Sequence, residues 1–460
     1  MHLRLDLISL IKVRSMRILL LSVLFFCVAV PRGLAQPVFT KTNTPWADSV
    51  LSTLTLEERI GQLFMVAAYS NREADHEKEL TRLIERYKIG GLIFFQGGPE
   101  REVKMYNRLQ DKSEIPLWIG MDAEWGLGMR LESTISYPRQ MTLGAIRNDS
   151  LIHAMGAEIA RQCRRIGVHI NFAPVVDVNN NPSNPVINNR SFGEDKRNVT
   201  EKGMAYMKGL QENGVLANAK HFPGHGDTDT DSHHNLPVIK HDLQRLRSVE
   251  LFPYKPLFQE GLASVMVAHL SIPALDSTPN RASTLSPNVV TNLLQDELDF
   301  NGLIFTDALN MKGVTKFYEP GEADLLALKA GNDVLLFAED VPKAMNEIKS
   351  AVEAGTLSED EINRSVEKIL KAKEWLGLHR ESMVAEEKIL EDINRPSAHF
   401  LKQKLSEAAI TLIQNRDGIV PLKDLDERKI SVITLGGSGE TFKNRLAKYT
   451  DFTSAEGSSN

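Results

Sequence analysis

A chain of 460 residues has room for two or three domains, although an α/β barrel alone can take well over half of it. With 42% hydrophobic residues, 25% charged residues and a net charge of −6, the composition suits a protein that buries an ordinary core. No cluster of Lys and Arg offsets the acidity, which excludes a nucleic-acid surface.

The N-terminus differs from the rest. Met16-Arg17 leads into an almost wholly apolar run over 18–30, followed by Pro31-Arg32-Gly33-Leu34-Ala35. A basic start, an apolar core too short for a stable span and small residues at Gly33 and Ala35 predict a secretory signal over 1–35, cleaved after Ala35. Met16 serves as well as Met1 for the start, since 1–15 adds nothing a signal needs. A membrane anchor is the competing reading, and the short apolar run argues against it. Of the two cysteines, Cys27 lies within the apolar run. The mature chain then keeps Cys163 alone, so no internal disulfide forms and stability must come from the core.

From residue 55 to 376 short apolar runs alternate with longer amphipathic ones. The apolar runs predict strands over 63–67, 91–95, 117–121, 169–173, 216–221, 264–269, 303–306 and 333–337. Helical stretches with recognisable ends lie between most of them. Thr55 and Glu58 make a capping box. Ser286-Pro287 reads as a cap with proline at the first helical position, and Val290, Leu293, Leu294 and Leu298 line one face before Asn301-Gly302. Eight such units predict a (β/α)8 barrel over 36–378, irregular where the gap between strands three and four is long. A barrel keeps its chemistry at the C-terminal ends of its strands. Those ends carry Asp122, Asp177, Lys220, His221, His269 and Asp307.

After Leu378 the composition turns charged, and 379–396 reads as a linker ending in Asn394-Arg395-Pro396. A helix over 397–405, an apolar stretch over 408–413 and a strand over 429–435 follow, with Gly436-Gly437-Ser438-Gly439 behind the strand. This is the start of a second α/β domain over 397–460. About 65 residues cannot cover both faces of a sheet, so the sequence is expected to be part of a longer protein. The glycine run lacks the Lys-Ser/Thr of a phosphate loop and reads as a strand-to-helix turn.

The most informative segment is Lys220-His221-Phe222-Pro223-Gly224-His225-Gly226-Asp227-Thr228-Asp229-Thr230-Asp231-Ser232-His233-His234-Asn235. It follows a buried strand and reads as a flexible loop crowded with titratable groups. Three readings compete. A zinc site can draw on His221, His225, Asp227, Asp231 and His233, but no established spacing is present. Loop-structuring hydrogen bonds account for Asp227, Thr228 and Thr230. Acid/base catalysis accounts for Asp231-Ser232-His233, where a carboxylate two residues from an imidazole orients the ring and raises its pKa. Asp307, at the end of the seventh strand, is either a helix cap or the nucleophile. A carboxylate nucleophile with a separate proton donor is the equipment of a retaining glycoside hydrolase.

The chain resembles the β-N-acetylglucosaminidases of glycoside hydrolase family 3. The resemblance rests on Glu57-Glu58-Arg59-Ile60-Gly61-Gln62-Leu63, Asp177-Val178-Asn179-Asn180-Asn181-Pro182, Asn189-Arg190-Ser191-Phe192-Gly193, the loop from Lys220 and Thr306-Asp307-Ala308. It implies a barrel and cleavage of terminal β-linked N-acetylglucosamine with retention, through a glycosyl-aspartate ester and without metal or organic cofactor. It also implies Asp307 as nucleophile and His233, held by Asp231, as acid/base. Asp122, Arg130, Arg190, Lys220 and His221 match the residues that grip the sugar. Export and the N-acetyl preference together point to cell-wall fragments or related amino-sugar glycans in the periplasm. Trp125 stands where relatives commonly carry glycine; it either stacks on a sugar ring or fills the barrel wall, and the wall is the expectation. A β-glucosidase or β-xylosidase, a zinc hydrolase and a non-catalytic glycan-binding protein remain the alternatives.

Overall fold

The computed structural model describes residues 36–40, 43–232, 234–380 and 383–457. The expected signal over 1–35 lies outside them. Within the described residues no helix is long and apolar enough to cross a membrane.

Eight parallel strands form the core: β1 (Phe64–Tyr69), β2 (Gly91–Gln96), β3 (Trp118–Met121), β4 (Ile170–Asn171), β5 (Leu216–Phe222), β6 (Ser264–Val267), β7 (Leu303–Thr306) and β8 (Leu335–Leu336). Neighbours pair in sequence order, and β8 returns to β1. A parallel bridge between Phe305 and Val334, with Thr306 N–H donating to the Val334 carbonyl at 3.0 Å, joins β7 to the entry of β8 and closes the barrel. All eight expected strands are present. β4 and β8 are shortened to two residues each, which is the irregularity of this barrel.

Large rings fill the interior. Phe305 packs edge-on against Phe172 at 5.5 Å and tilted against Trp118 at 5.7 Å. Gly120 makes room for this layer, because a Cβ there would meet the Phe172 ring at 2.6 Å. The Thr55/Glu58 capping box forms as expected, with reciprocal bonds of 3.3 and 2.9 Å. The segment after Ser286 differs from expectation. It winds as a π-helix over Asn288–Glu297, and the Ser286 hydroxyl donates to Asp276 at 2.6 Å instead of capping. Val290, Leu293 and Leu294 are buried nonetheless and Leu298 partly so, so the expected apolar face holds although the winding differs.

Lys373, on the helix Glu359–Trp375, is fully buried, and its ammonium donates to Gln62 Oε1 at 2.7 Å. Burial lowers its pKa from 10.5 to about 7. Between those values the unfolded chain binds a proton that the folded chain does not, so this group makes stability rise with pH across that window. Urea unfolding of Lys373→Met at about pH 7 and about pH 9 should therefore show a smaller pH dependence than the parent. The variant should gain most at the lower pH.

The first compact unit runs to Ala409 and the second from Ile410, later than the expected boundary at 396/397. Residues 383–409 belong with the barrel. Arg165 Nε reaches Asp392 at 2.7 Å, Asn107 Nδ2 donates to the Val384 carbonyl at 2.8 Å, and the helix Pro396–Ala409 buries Ala398 and Leu405. The charge and proline around 394–396 that suggested a linker sit on the outside of a helical layer whose apolar positions, Ile389 and Ile393 among them, face inward. In the second unit β9 (Ile430–Leu435) and β10 (Phe452–Gly457) pair in parallel around the helix Glu440–Leu446. The glycine run is the turn between strand and helix, with Gly436 and Gly439 at φ of 76° and 63°.

Candidate active site

At the C-terminal ends of the strands lies a cavity of about 470 Å³. Two irregularities in the sheet aim side chains at it. The pairing of β5 with β6 shifts register between Lys220 and Phe222, and that of β1 with β2 shifts opposite Phe95. The residues skipped, His221 and Phe95, both line the cavity, in keeping with the habit of bulges beside active sites.

Six of the expected residues, Asp122, Arg130, Arg190, Lys220, His221 and Asp307, converge on this cavity. Their spacing in the chain gave no hint of how they pair. Lys220, 2% exposed, donates to Asp122 Oδ1 at 2.6 Å and lies 3.0 Å from Glu124 Oε1. Arg130 holds the other oxygen of Asp122. Arg190 grips fully buried Glu124 with two parallel bonds, of 2.7 and 3.1 Å. Three cations thus share two carboxylates. Burial alone would raise the pKa values of both acids. Lys220 and Arg130 overcome it at Asp122, and Arg190 and Lys220 overcome it at Glu124, which falls to about 2. The network presents fixed, ionised donors and acceptors to whatever enters.

Glu124 was not singled out by sequence. Its signal, the Asp122-Ala123-Glu124 alternation after β3, was visible but carried no partner. Glu124→Gln leaves buried cations short of one charge, and stability at neutral pH is expected to fall by about 3–5 kcal/mol. Because the folded pKa is depressed from 4.5 to about 2, the parent loses this contribution as pH falls between those values. Denaturant midpoints of parent and variant should converge over that range.

Asp177, fully buried, stands behind the cavity and organises the root of the loop. Its Oδ2 pairs with His221 Nδ1 at 2.7 Å, while Oδ1 accepts the backbone N–H groups of His221 at 3.2 Å and His225 at 2.6 Å. His221 first, then His225, hold its pKa below the ordinary value against burial. Asn184 Nδ2 bonds the His225 carbonyl at 2.8 Å and Asn181 Nδ2 the Thr228 carbonyl at 3.2 Å. A Cβ at Gly226 would lie 2.0 Å from the Val178 carbonyl oxygen, so only glycine allows this approach. The first half of the expected flexible loop is therefore bolted to the segment after β4.

Among the described residues, the histidines of the loop do not gather as a zinc set. His225 Nδ1 pairs with Thr228 Oγ1 at 2.7 Å, and burial, then His221, lower its pKa to about 4, so it is neutral at physiological pH. Among the described residues the group with metal-ligand spacing is Asp227, His241 and Glu250, which draws one residue from this loop and two from beyond it. There the Arg245 guanidinium already supplies the cation, 3.6 Å from Asp227 and 3.1 Å from Glu250. Asp227 and Thr228 are structural, as expected. His233 lies outside the described residues. Asp231, half-buried, accepts at its carbonyl from His234 and Asn235 N–H at 3.0 and 3.1 Å, and the neighbouring Ser232 lines the cavity.

Asp307 leaves β7 with its N–H on the Val267 carbonyl at 3.0 Å, and its Oδ1 accepts the Ala308 N–H at 2.8 Å. Burial raises its pKa, but the pull of His269 and His221, the Ala308 N–H and Lys220 together hold it below the ordinary value. It is an ionised carboxylate at the cavity wall. His269, another expected strand-end group, turns to Thr284 Oγ1 at 2.8 Å and the Ala308 carbonyl at 3.0 Å, supporting the backbone beside Asp307. Trp125 does not fill the barrel wall. It lines the cavity half-buried. The aromatic residues Tyr69, Phe95 and Phe337 also line it and were missed, since each sits within or after an apolar strand where ring and core look alike in sequence.

Comparison with known proteins bears on this geometry. Residues 55–372 match the glycosyl hydrolase family 3 N-terminal domain. The chain is 35% identical over 378 residues to Beta-hexosaminidase A of Pseudoalteromonas piscicida, covering 75% of this chain and 62% of that protein, which is less than two thirds of its length. It is 31% identical over 361 residues to Beta-hexosaminidase LpqI of Mycobacterium tuberculosis, covering 75% of this chain and 87% of that one. Among solved structures, a glycoside hydrolase family 3 β-N-acetylglucosaminidase from Paenibacillus sp. str. FPU-7 superposes with a TM-score of 0.76 at 32% identity, over 88% of this chain and 80% of that one. Eight parallel strands, an ionised aspartate at the end of the seventh and a sequence match spanning the whole barrel agree: the chain belongs to glycosyl hydrolase family 3.

Proposed function

We propose that the protein is a retaining exo-glycosidase that releases terminal β-linked N-acetylglucosamine from cell-wall fragments or related glycans after export to the periplasm. The observation that carries the reading is the ionised Asp307 at the wall of a cavity also lined by Asp122, Arg130, Arg190, Lys220 and His221. A cavity of about 470 Å³ is of the size that encloses a small ligand, and carboxylates beside guanidinium and ammonium groups are matched to sugar hydroxyls and an acetamide. The β-hexosaminidase relatives support the N-acetyl preference over a glucosidase.

In the first step an Asp307 oxygen bonds to the anomeric carbon as the glycosidic C–O bond breaks, and His233 gives its proton to the leaving oxygen. In the second, water attacks the ester, His233 takes the proton and Asp307 leaves as carboxylate. Charge at the nucleophile explains a histidine in both roles. Ionised Asp307 favours the imidazolium, and the neutral ester withdraws that support, so the same ring becomes a base. Asp231 orients the ring.

Trapping with a fluorinated N-acetylglucosaminide, followed by peptide mass mapping, tests the reading. A label on Asp307 is the expected result, and a label elsewhere would overturn the assignment. A tenfold or greater preference for N-acetylglucosaminide over glucoside in kcat/KM is expected, because a site built to bond the acetamide leaves groups unpaired without it, at roughly 1–3 kcal/mol.

A further inference from the structure

We propose that Gly313 is a positioning residue, which sets the acid/base His233 relative to the nucleophile Asp307 by holding the loop against the segment that follows β7. The inference rests on the glycosidase reading above. The loop is fastened at both ends to its own surroundings. Near its root Asp227 Oδ2 meets His241 Nε2 at 2.6 Å. At its far end the Ile239 N–H donates to the Ser271 carbonyl at 2.9 Å, and the Ser271 N–H to the Pro237 carbonyl at 2.8 Å. Between these anchors the segment after Asp307 reaches the loop twice. The Gly313 N–H donates to the Ser232 carbonyl at 3.2 Å, and Lys316 Nζ to Asn235 Oδ1 at 3.3 Å.

The Ser232 carbonyl belongs to the peptide unit whose nitrogen is that of His233, so a hydrogen bond to it orients the rigid plane next to the acid/base residue. The contact is a close one. A Cβ on Gly313 would lie 3.1 Å from the Ser232 carbonyl oxygen, 3.3 Å from that of Asn235 and 3.6 Å from His269 Cβ. Ser232 is 2% exposed and Val314 is fully buried, so neither side of the contact has free room. Back towards Asp307 the segment is braced. The Leu309 N–H donates to the Leu336 carbonyl at 2.9 Å, and the Ala308 carbonyl accepts the Met311 N–H at 3.1 Å beside His269 Nε2 at 3.0 Å. A displacement at Gly313 is therefore taken up by the loop and not by the nucleophile. Glycine serves here through its missing side chain, since the helix Lys312–Thr315 would accept alanine in its backbone.

The test is a double-mutant cycle read on two substrates. The readout is kcat/KM for N,N′-diacetylchitobiose, whose sugar leaving group needs a proton, divided by kcat/KM for the dinitrophenyl N-acetylglucosaminide, which needs none. Gly313→Ala is expected to lower this ratio about tenfold, part of the roughly 10²-fold that a misplacement of about 1 Å costs, with dinitrophenyl turnover within about twofold of the parent. Gly313→Val should lower the ratio further, and Lys316→Met, which frees an exposed contact, should lower it less. In the His233→Ala background Gly313→Ala should leave the ratio where it is, since the group it positions is gone. Equal losses on both substrates, an unchanged ratio, or a further fall in the His233→Ala background would overturn the proposal. A ratio that His233→Ala alone does not lower would instead overturn the acid/base reading beneath it.

Discussion

Asp307→Ala is expected to lower kcat on every N-acetylglucosaminide by a factor on the order of 10⁶, whatever the leaving group, as removal of a covalent nucleophile does elsewhere. The residue is ionised because His269, His221 and Lys220 outweigh its burial, and its carboxylate is already oriented by the Ala308 N–H. Among the described residues no other carboxylate on the cavity wall replaces it: Asp122 and Glu124 are each already paired with Lys220 and an arginine. The variant should keep its fold, since the backbone bond from residue 307 to Val267 involves no side chain. Added azide should restore part of the turnover and give the α-glycosyl azide, because a small anion entering the vacated space attacks from the nucleophile's side. A variant that retains substantial turnover, or a rescue product of β configuration, would remove Asp307 from the role.

His233→Ala is expected to divide substrates by leaving group. General acid catalysis contributes ~10²–10⁴ in rate, so sugar leaving groups should slow by that factor. Formation of the ester from a dinitrophenyl glycoside needs no proton and should proceed almost normally. Hydrolysis of the ester should then limit turnover, visible as a burst of phenol followed by a slow steady state. The basic limb of the pH–rate profile should flatten for the variant, since the group whose deprotonation it reports is gone. Equal losses on sugar and dinitrophenyl leaving groups would show that His233 positions substrate instead of transferring the proton.

The local parts of this protein are legible in its sequence. Apolar runs of four to six residues bounded by turn signals locate the eight strands, since a strand buried on both faces must be apolar wherever it is not functional. That same rule makes Lys220, His221 and Asp307 conspicuous, as polar residues at the ends of such runs. The Thr55 and Glu58 cap is equally local, its two residues lying three apart. What the sequence could not convey is partnership across distance. Lys220 and Asp122 are 98 residues apart, Arg190 and Glu124 are 66 apart, and Asp177 and His221 are 44 apart. Each pair meets only because successive βα units bring their strand ends to one rim. Register shifts at His221 and Phe95, the π winding after Ser286 and the contact of Gly313 with Ser232 likewise depend on neighbours that no single segment contains. Local propensity and hydrophobic period determine which elements form and which groups lie at their ends. Closure of the barrel decides which charges share a carboxylate, because electrostatic and packing energies depend on separation in space and not on separation along the chain.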